Sequence, residues 1–376
     1  MAGLIVHEWF AKHGGSENVV EQMLEALPES DLQVLWNDRD PKKRPARETW
    51  IARTPLRNSK ALSLPFQLPT WRHLPSSVQY DWMLVSSHLF AHHARLRSQP
   101  SLPKYVYAHT PARYIWAPEL DTRGAARHIR LASAFLKPID RKRAQEAVRI
   151  AANSEFTRER ILRAWGRDAD VIYPPVDIER ITSRSNWADM LSAEDAATLE
   201  SLPEGFLLGA SRMVPYKRLD AVIDAGEATG SPVVLAGAGP LWEALSARAN
   251  VAGVPVLMVH RPSDELLFAL YQACRAFVFP AVEDFGIMPV EAMAAGAPAI
   301  VPTAGGASES VALVRGGVAV TGLGADDWRW ALTQADHIDR ENLPARTEQL
   351  SNSSFQRRVR GWLEPAHDPT EDVTKP

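Results

Sequence analysis

Two short runs in the C-terminal half carry residues spaced for anion chemistry. In the first, Glu283-Asp284-Phe285-Gly286-Ile287-Met288-Pro289-Val290-Glu291 follows the apolar Ala276–Phe279 and enters a helical Glu-Ala-Met-Ala-Ala-Gly pattern. A strand running into a helix N-terminus presents free N–H groups and the positive end of the dipole, which together attract an anion. Gly286 removes the side chain where a phosphate would approach. Glu283 and Glu291 can then contact a sugar and a ribose; as plain acids of a βα unit they would only stabilise the dipole or sit on the surface. In the second run, Gly209-Ala210-Ser211-Arg212-Met213-Val214-Pro215-Tyr216-Lys217-Arg218-Leu219-Asp220, Arg212 and Lys217 bracket the turn after a strand. An arginine fork and a lysine point charge suit a diphosphate; without a ligand they are two solvated cations. Both runs fall at strand ends of one domain, where open parallel sheets bind ligands.

The N-terminal half offers two weaker signals. His13-Gly14-Gly15-Ser16-Glu17 follows the first strand, and paired glycines let backbone amides approach a ligand, or simply make a tight turn. Tyr107-Ala108-His109-Thr110-Pro111-Ala112-Arg113-Tyr114 also follows a strand, and His109 can contact a reacting sugar or be structural. Other features are set aside. Gly237-Ala238-Gly239 lacks the third glycine of a dinucleotide fingerprint, Trp242 standing there. Asp38-Arg39-Asp40 reads as a charged loop rather than a metal site. His92 and His93 are adjacent, so on a helix they point apart and make poor joint ligands. Cys274, the one cysteine, lies in an apolar run and reads as buried filler in a reducing compartment. We expect no metal and no cofactor.

These runs need strands to position them. Gly3–His7, Leu32–Trp36, Trp82–Ser86, Tyr105–Ala108 and Ile150–Asn153 are strand candidates, as are Phe206–Gly209, Val233–Gly237, Val256–Val259, Ala276–Phe279, Ala299–Pro302 and Val318–Val320. Their apolarity is continuous rather than alternating, which predicts strands buried on both faces in parallel sheets with helices on each side. Helices are expected at Leu241–Asn250, Asp264–Ala273 and after the N-cap Ser154. Tyr173-Pro174-Pro175 and the polar stretch behind it mark a break. We read an N-terminal Rossmann-like acceptor-side domain over 1–170 and a C-terminal nucleotide-sugar-binding domain over 171–345. The helix 351–363 packs back on the first domain, and 364–376 is a polar, Pro-rich tail expected to be disordered.

The chain has 376 residues, 42 basic and 45 acidic, for a net charge of −3. That balance argues against a nucleic-acid partner. No long uncharged apolar run and no basic leader appear, so we expect a cytoplasmic protein. Residues 123–149 depart from the average: eight basic residues face only Asp140 and Glu146 there. With Leu131, Phe135, Leu136 and Ile139 interleaved, the segment reads as a possible contact with the inner membrane surface or as an ordinary solvated helix face.

The runs Gly-Gly-Ser-Glu-Asn-Val-Val, Ser-Arg-Met-Val-Pro-Tyr-Lys-Arg-Leu-Asp and, above all, 283–309 resemble glycosyltransferase family 4. The resemblance implies a retaining enzyme of GT-B fold: an α/β protein of two Rossmann-like parallel-sheet domains facing across a cleft. It implies that Arg212 and Lys217 hold the donor diphosphate, Glu283 contacts the donor sugar and Glu291 the ribose. Gly14 and Gly15 would line the phosphate side, His109 would stand near the transferring sugar, and Phe285, Gly286 and Ile287 would offer amides. Where such proteins often read Gly-Arg, this chain has His260-Arg261, beside the expected nucleobase position. Tyr-x-His-Thr-Pro-x-Arg-Tyr and Tyr-Lys-Arg-x-Asp look most like bacterial GDP-mannose-dependent mannosyltransferases acting on a glycan or lipid-linked acceptor. A UDP-sugar donor and an inactive partner subunit are the alternatives.

Overall fold

The computed structural model describes residues 2–11, 14–40, 45–116 and 127–364. The runs 117–126 and 365–376 lie outside these, and with them His13, Arg123 and nearly all of the expected tail. The chain divides into two compact units, 2–152 with 160–172 and 353–364, and 153–159 with 173–352.

In the first unit, seven parallel strands form one sheet: β1 Gly3–His7, β2 Ser30–Val34, β3 Arg47–Glu48, β4 Trp82–Ser87, β5 Lys104–Ala108, β6 Arg149–Ala152 and β7 Asp170–Val171. They stand in the order β3-β2-β1-β4-β5-β6-β7. Each central strand feeds two cores. Leu4 and Val6 of β1 join Met83 and Val85 of β4 and Val106 of β5 on one face. Ile5, Leu84 and Tyr107 pack on the other, against Val19, Val20 and Met23. The pleat sends alternate residues to opposite faces, so a run apolar at every position is buried twice. The two-residue edge strands β3 and β7 carry no periodicity and escape a sequence reading.

The helix Asn352–Leu363 belongs to this first unit. Its Phe355, Val359 and Trp362 are buried in the same core as Ile5 and Tyr107. Trp362 donates its indole N–H to Asp170 at 2.7 Å, and Arg149 reaches the Trp362 carbonyl at 3.0 Å. Another helix, Lys60–Arg72, was not anticipated, because Pro65 and Pro69 stand inside it. Ser59 caps it, accepting from Leu62 N–H at 3.3 Å.

The second unit holds six parallel strands: β8 Leu207–Arg212, β9 Val233–Ala238, β10 Val256–His260, β11 Ala276–Val278, β12 Ala299–Pro302 and β13 Gly317–Val320. The order is β10-β9-β8-β11-β12-β13. Leu208, Val234 and Phe277 enter one core, and Leu207, Val233 and Val278 the other. The polar stretch after Pro175 is part of this unit: Trp187 is buried against Phe268, with ring centroids 4.9 Å apart. The expected N-cap Ser154 accepts from Thr157 N–H at 3.0 Å. Glu309 caps the same helix from outside, accepting from Glu155 and Phe156 N–H at 2.7 and 2.8 Å.

Trp362→Ala removes the largest buried side chain of the C-terminal helix. It is expected to cost about 3–5 kcal/mol, read as a lower urea midpoint for the first unit and an unchanged transition for the second. An unmoved first transition would mean that this helix does not hold the fold.

Candidate active site

In the second unit the chemistry collects where the strands end. Arg212 is the last residue of β8, exposed, and its Nη2 meets Tyr216 Oη at 2.9 Å. The chain then turns through the short 3₁₀ segment Pro215–Lys217, and Arg218 closes it in the left-handed region at φ 52°. That turn swings Lys217 inward, where it is 8% exposed. Its ammonium forms an ion pair with the Glu283 carboxylate and lies 5.1 Å above the Phe279 ring. Two predicted residues 66 positions apart are therefore in direct contact. A buried cation needs such a partner, since desolvation without one costs several kcal/mol.

Glu283 sits in the loop after β11, held by Gly306 N–H donating to its carbonyl at 2.9 Å. Gly286 then opens the helix Ile287–Ala294 at φ 88°. A Cβ there would strain the backbone and meet the Ala307 Cβ at 3.0 Å. The glycine is thus required by its own conformation and by the neighbouring helix, whatever else its missing side chain leaves room for. Phe285 is buried and packs on Tyr173, so only its backbone is available to a ligand. Ile287 is the first residue of the helix. Glu291 lies on the helix, its carboxyl pushed up to about 7 by burial, with the Asp264 charge adding to the effect. Tyr271 Oη stands 3.5 Å from it.

Gly237-Ala238-Gly239, set aside above as a failed fingerprint, proves to be part of this edge. Gly237 pairs with Ser211 in the sheet, and a Cβ on it would lie 2.0 Å from the Ser211 carbonyl oxygen. The Gly237 carbonyl accepts from Arg261 N–H at 3.1 Å, and Arg261 takes φ 50° to reach it. The spacing gave the clue, two glycines directly after a strand, but only the sheet order puts them beside Arg212.

His109, Gly14 and Gly15 belong to the first unit. Gly14 precedes and Gly15 begins the helix Gly15–Ala26 just beyond β1. His109 follows β5, and its Nε2 meets Ser86 Oγ at 2.8 Å. It is not alone. His7 and His88 lie with ring centroids 6.3 Å from it, and His88 Nδ1 is 3.2 Å from the carboxylate of Glu8. Glu8 is fully buried and accepts from Leu89 and Ala91 N–H at 2.8 and 3.0 Å. These donors and the two histidines hold its carboxyl at about 2 despite burial. Burial and the neighbouring imidazoles hold His109 well below its ordinary value, as a neutral ring. The sequence reading missed Glu8 and His88; their signal was polar residues at the ends of two apolar strands.

One expectation is overturned. His92 and His93 do not point apart: both Nε2 atoms lie 3.0 Å from Asp140 Oδ1. The pair sits in the short 3₁₀ segment Ala91–His93 rather than on an α-helix, with the two rings edge to face at 4.5 Å between centroids. Trp116 and Trp165 indoles both donate to Asp140 Oδ2 at 2.7 Å. Four partners keep this buried carboxylate ionised. The Asp38-Arg39-Asp40 loop is charged: Asp38 pairs with Arg57 at 2.7 Å and Arg39 with Glu21. In the basic segment, Phe135 and Ile139 are exposed at 76% and 44%, not turned to a core.

Residues 13–180 match the family described as Glycosyltransferase Family 4, and residues 193–348 match Glycosyl transferases group 1. The chain belongs to the family 4 glycosyltransferases, and its two parallel-sheet units are those of the GT-B fold. Among curated relatives, it is 30% identical over 188 residues to the GDP-mannose-dependent alpha-(1-6)-phosphatidylinositol monomannoside mannosyltransferase of Mycobacterium tuberculosis, covering 46% of this chain and 48% of that one. It is 31% identical over 182 residues to D-rhamnosyltransferase WbpZ of Pseudomonas aeruginosa, covering 45% and 42%. The chain spans about half the length of the curated relatives it matches. Anabaena HepE, solved in complex with UDP, superposes with a TM-score of 0.71 at 18% identity, over 96% of this chain and 99% of that one.

Glu291 supplies a pH test. Its folded value near 7 lies above the ordinary 4.5, so the native state loses stability as pH rises from about 4.5 to 7. Glu291→Gln is expected to be more stable than the parent by about 1–3 kcal/mol at pH 8, and nearly equal at pH 4.5, in urea unfolding. Equal stabilities at both pH values would show that the carboxyl is not held protonated.

Proposed function

We propose that the chain transfers a hexosyl group, mannose, from GDP-mannose to an acceptor hydroxyl with retention of configuration. The observation that carries the reading is the contact of Lys217 with Glu283 beside Arg212 at the end of β8. It sets the cations suited to a diphosphate against the carboxylate suited to the sugar. Bond breaking puts negative charge on the leaving diphosphate, and Arg212, Lys217 and the amides at Gly286 and Ile287 are fixed in advance to receive it. The oxocarbenium-like sugar is positive, and Glu283 faces it. The leaving phosphate oxygen takes the acceptor proton on the same face. Glu291 holds the ribose, and Arg261 borders the base. His109, neutral and oriented by Ser86, binds a sugar hydroxyl, with Gly14 and Gly15 lining the phosphate side. No metal and no cofactor takes part. The named activity of the mycobacterial mannosyltransferase supports the mannose donor; the UDP bound by HepE supports a UDP-sugar as the second reading.

Arg212→Ala and Lys217→Ala should each lower kcat/KM by about 100- to 1,000-fold with the fold intact, while chelation leaves the parent active. Turnover near the parent's in the double variant would remove the diphosphate role, and a strict metal requirement would bring back Asp38 and Asp40. Running GDP-mannose against UDP-sugars decides between the donors.

We further propose that the acceptor is lipid-linked and that residues 123–149 rest on an anionic inner membrane surface. The exposure of Phe135 and Ile139 between basic residues supports this. Salt-sensitive co-sedimentation with phosphatidylglycerol vesicles is expected, reduced in Phe135→Ser with Lys142→Glu. No binding at low ionic strength would favour a soluble acceptor.

A further inference from the structure

At the opposite edge of the first sheet from His109, a cavity of about 300 Å³ opens beside the first paired residues of β4 and β5. Arg72, Arg95, Lys104 and Arg143 line it, with Glu146 as its one carboxylate. Glu146 takes Arg72 Nη1 at 2.7 Å, Lys104 Nζ at 3.1 Å and Arg143 Nη1 at 2.8 Å. Lys104 is spent inside the fold, donating also to the His92 carbonyl at 2.8 Å and the Ala94 carbonyl at 3.3 Å. The arginines are not spent. Among the described residues, Nη2 of Arg72 and of Arg143 and the whole Arg95 side chain have no hydrogen-bond partner.

This is not how the chain closes its other ion clusters. Arg248 meets two carboxylates, Asp224 and Glu227, and Arg275 meets Asp336. Here three cations share one carboxylate and Arg95 stands beside them without one, in a concave site where low-dielectric walls focus the field. Three guanidinium groups with spare N–H donors match the geometry of phosphate oxygens. The volume is at the lower end for small-molecule sites, enough for a group carrying one or two phosphoryl units.

We propose that this cavity binds a phosphoryl-bearing anion, at a site separate from the donor site and independent of the transferase reading. Arg95 and Arg143 grip the anion, Arg72 supports it, and Glu146 stands in for it when it is absent. The phosphoryl group can come from a soluble metabolite or from a phospholipid headgroup. Lys104 makes binding depend on pH. Burial, with Arg72 and Arg143, draws its ammonium down to about 8, against the pull of Glu146; His93 also faces it. A second negative charge would hold that proton, so affinity falls as pH rises past 8.

The test uses the full chain carrying Arg212→Ala and Lys217→Ala, which disables the donor site. Pyrophosphate is titrated by calorimetry at fixed ionic strength. Adding Arg95→Gln and Arg143→Gln should weaken binding at least tenfold, and Glu146→Gln should strengthen it severalfold. Sulfate, whose own charge is constant, should bind several times more weakly at pH 9.5 than at pH 7. Flotation with phosphatidylglycerol against phosphatidylcholine vesicles forms the second arm. Pyrophosphate binding lost with Arg95 and Arg143 supports a soluble ligand. Vesicle binding alone, lost with the same pair, supports a headgroup. Binding of neither probe, or binding of both unchanged by the pair, overturns the site.

Discussion

A strand covered on both faces has no side on which to carry a polar group, and that constraint organises this protein. Leu4 to Val6, Met83 to Val85, Leu207 to Ala210 and Val233 to Ala236 are buried at every position. Chemistry can begin only past the last apolar residue. Because all strands in each sheet are parallel, their ends lie along one edge and the polar residues after them become neighbours. His7, Glu8, Ser86, His88 and His109 meet in one unit for this reason. In the other, Gly237 pairs with Ser211 next to Arg212, and Lys217 meets Glu283.

What then fixes each group is the way its charge is satisfied. Lys217 and Glu283 are each held by the other, so removing one leaves the partner as an uncompensated charge in a poorly solvated place. Glu291 has no ion-pair partner among the described residues, and burial with a like charge nearby raises its pKa. Two acids on one βα unit are therefore placed differently, one against a cation and one buried near a like charge. For Glu291, a carboxyl titrating near 7 suits hydroxyl recognition.

The first unit carries a buried polar chain. Ser87 Oγ donates to Glu8 at 3.1 Å and meets His92 Nδ1 at 3.2 Å, and the far nitrogen of His92 reaches Asp140. The line runs from the strand-end histidines to the helix Arg127–Ala144, where Trp116 and Trp165 close it. Buried hydrogen bonds of this kind fix one geometry, because a group left alone there bears its full desolvation cost. That rigidity bears on the site, since Glu8 also holds the loop that carries His88.

The fold was legible because its evidence is local. Uninterrupted apolar runs, Gly286 before a helical pattern, Ser154 before another and Tyr173-Pro174-Pro175 are all read within a few residues. Arg212, Lys217 and Glu283 could be singled out for the same reason, as polar residues at or soon after a strand end, and Glu291 by its place in the helix that follows. The contact of Lys217 with Glu283, the place of Gly237 beside Ser211, the histidines around His109 and the convergence of His92 and His93 on Asp140 were not legible. Each joins residues set side by side by strand order or drawn to one buried partner, and sequence distance carries no record of either. Composition and periodicity determined which segments are buried and where polar chemistry can start. Tertiary structure alone decided which charges meet, and so which carboxyl stays ionised, because desolvation and Coulomb attraction depend on distance in space.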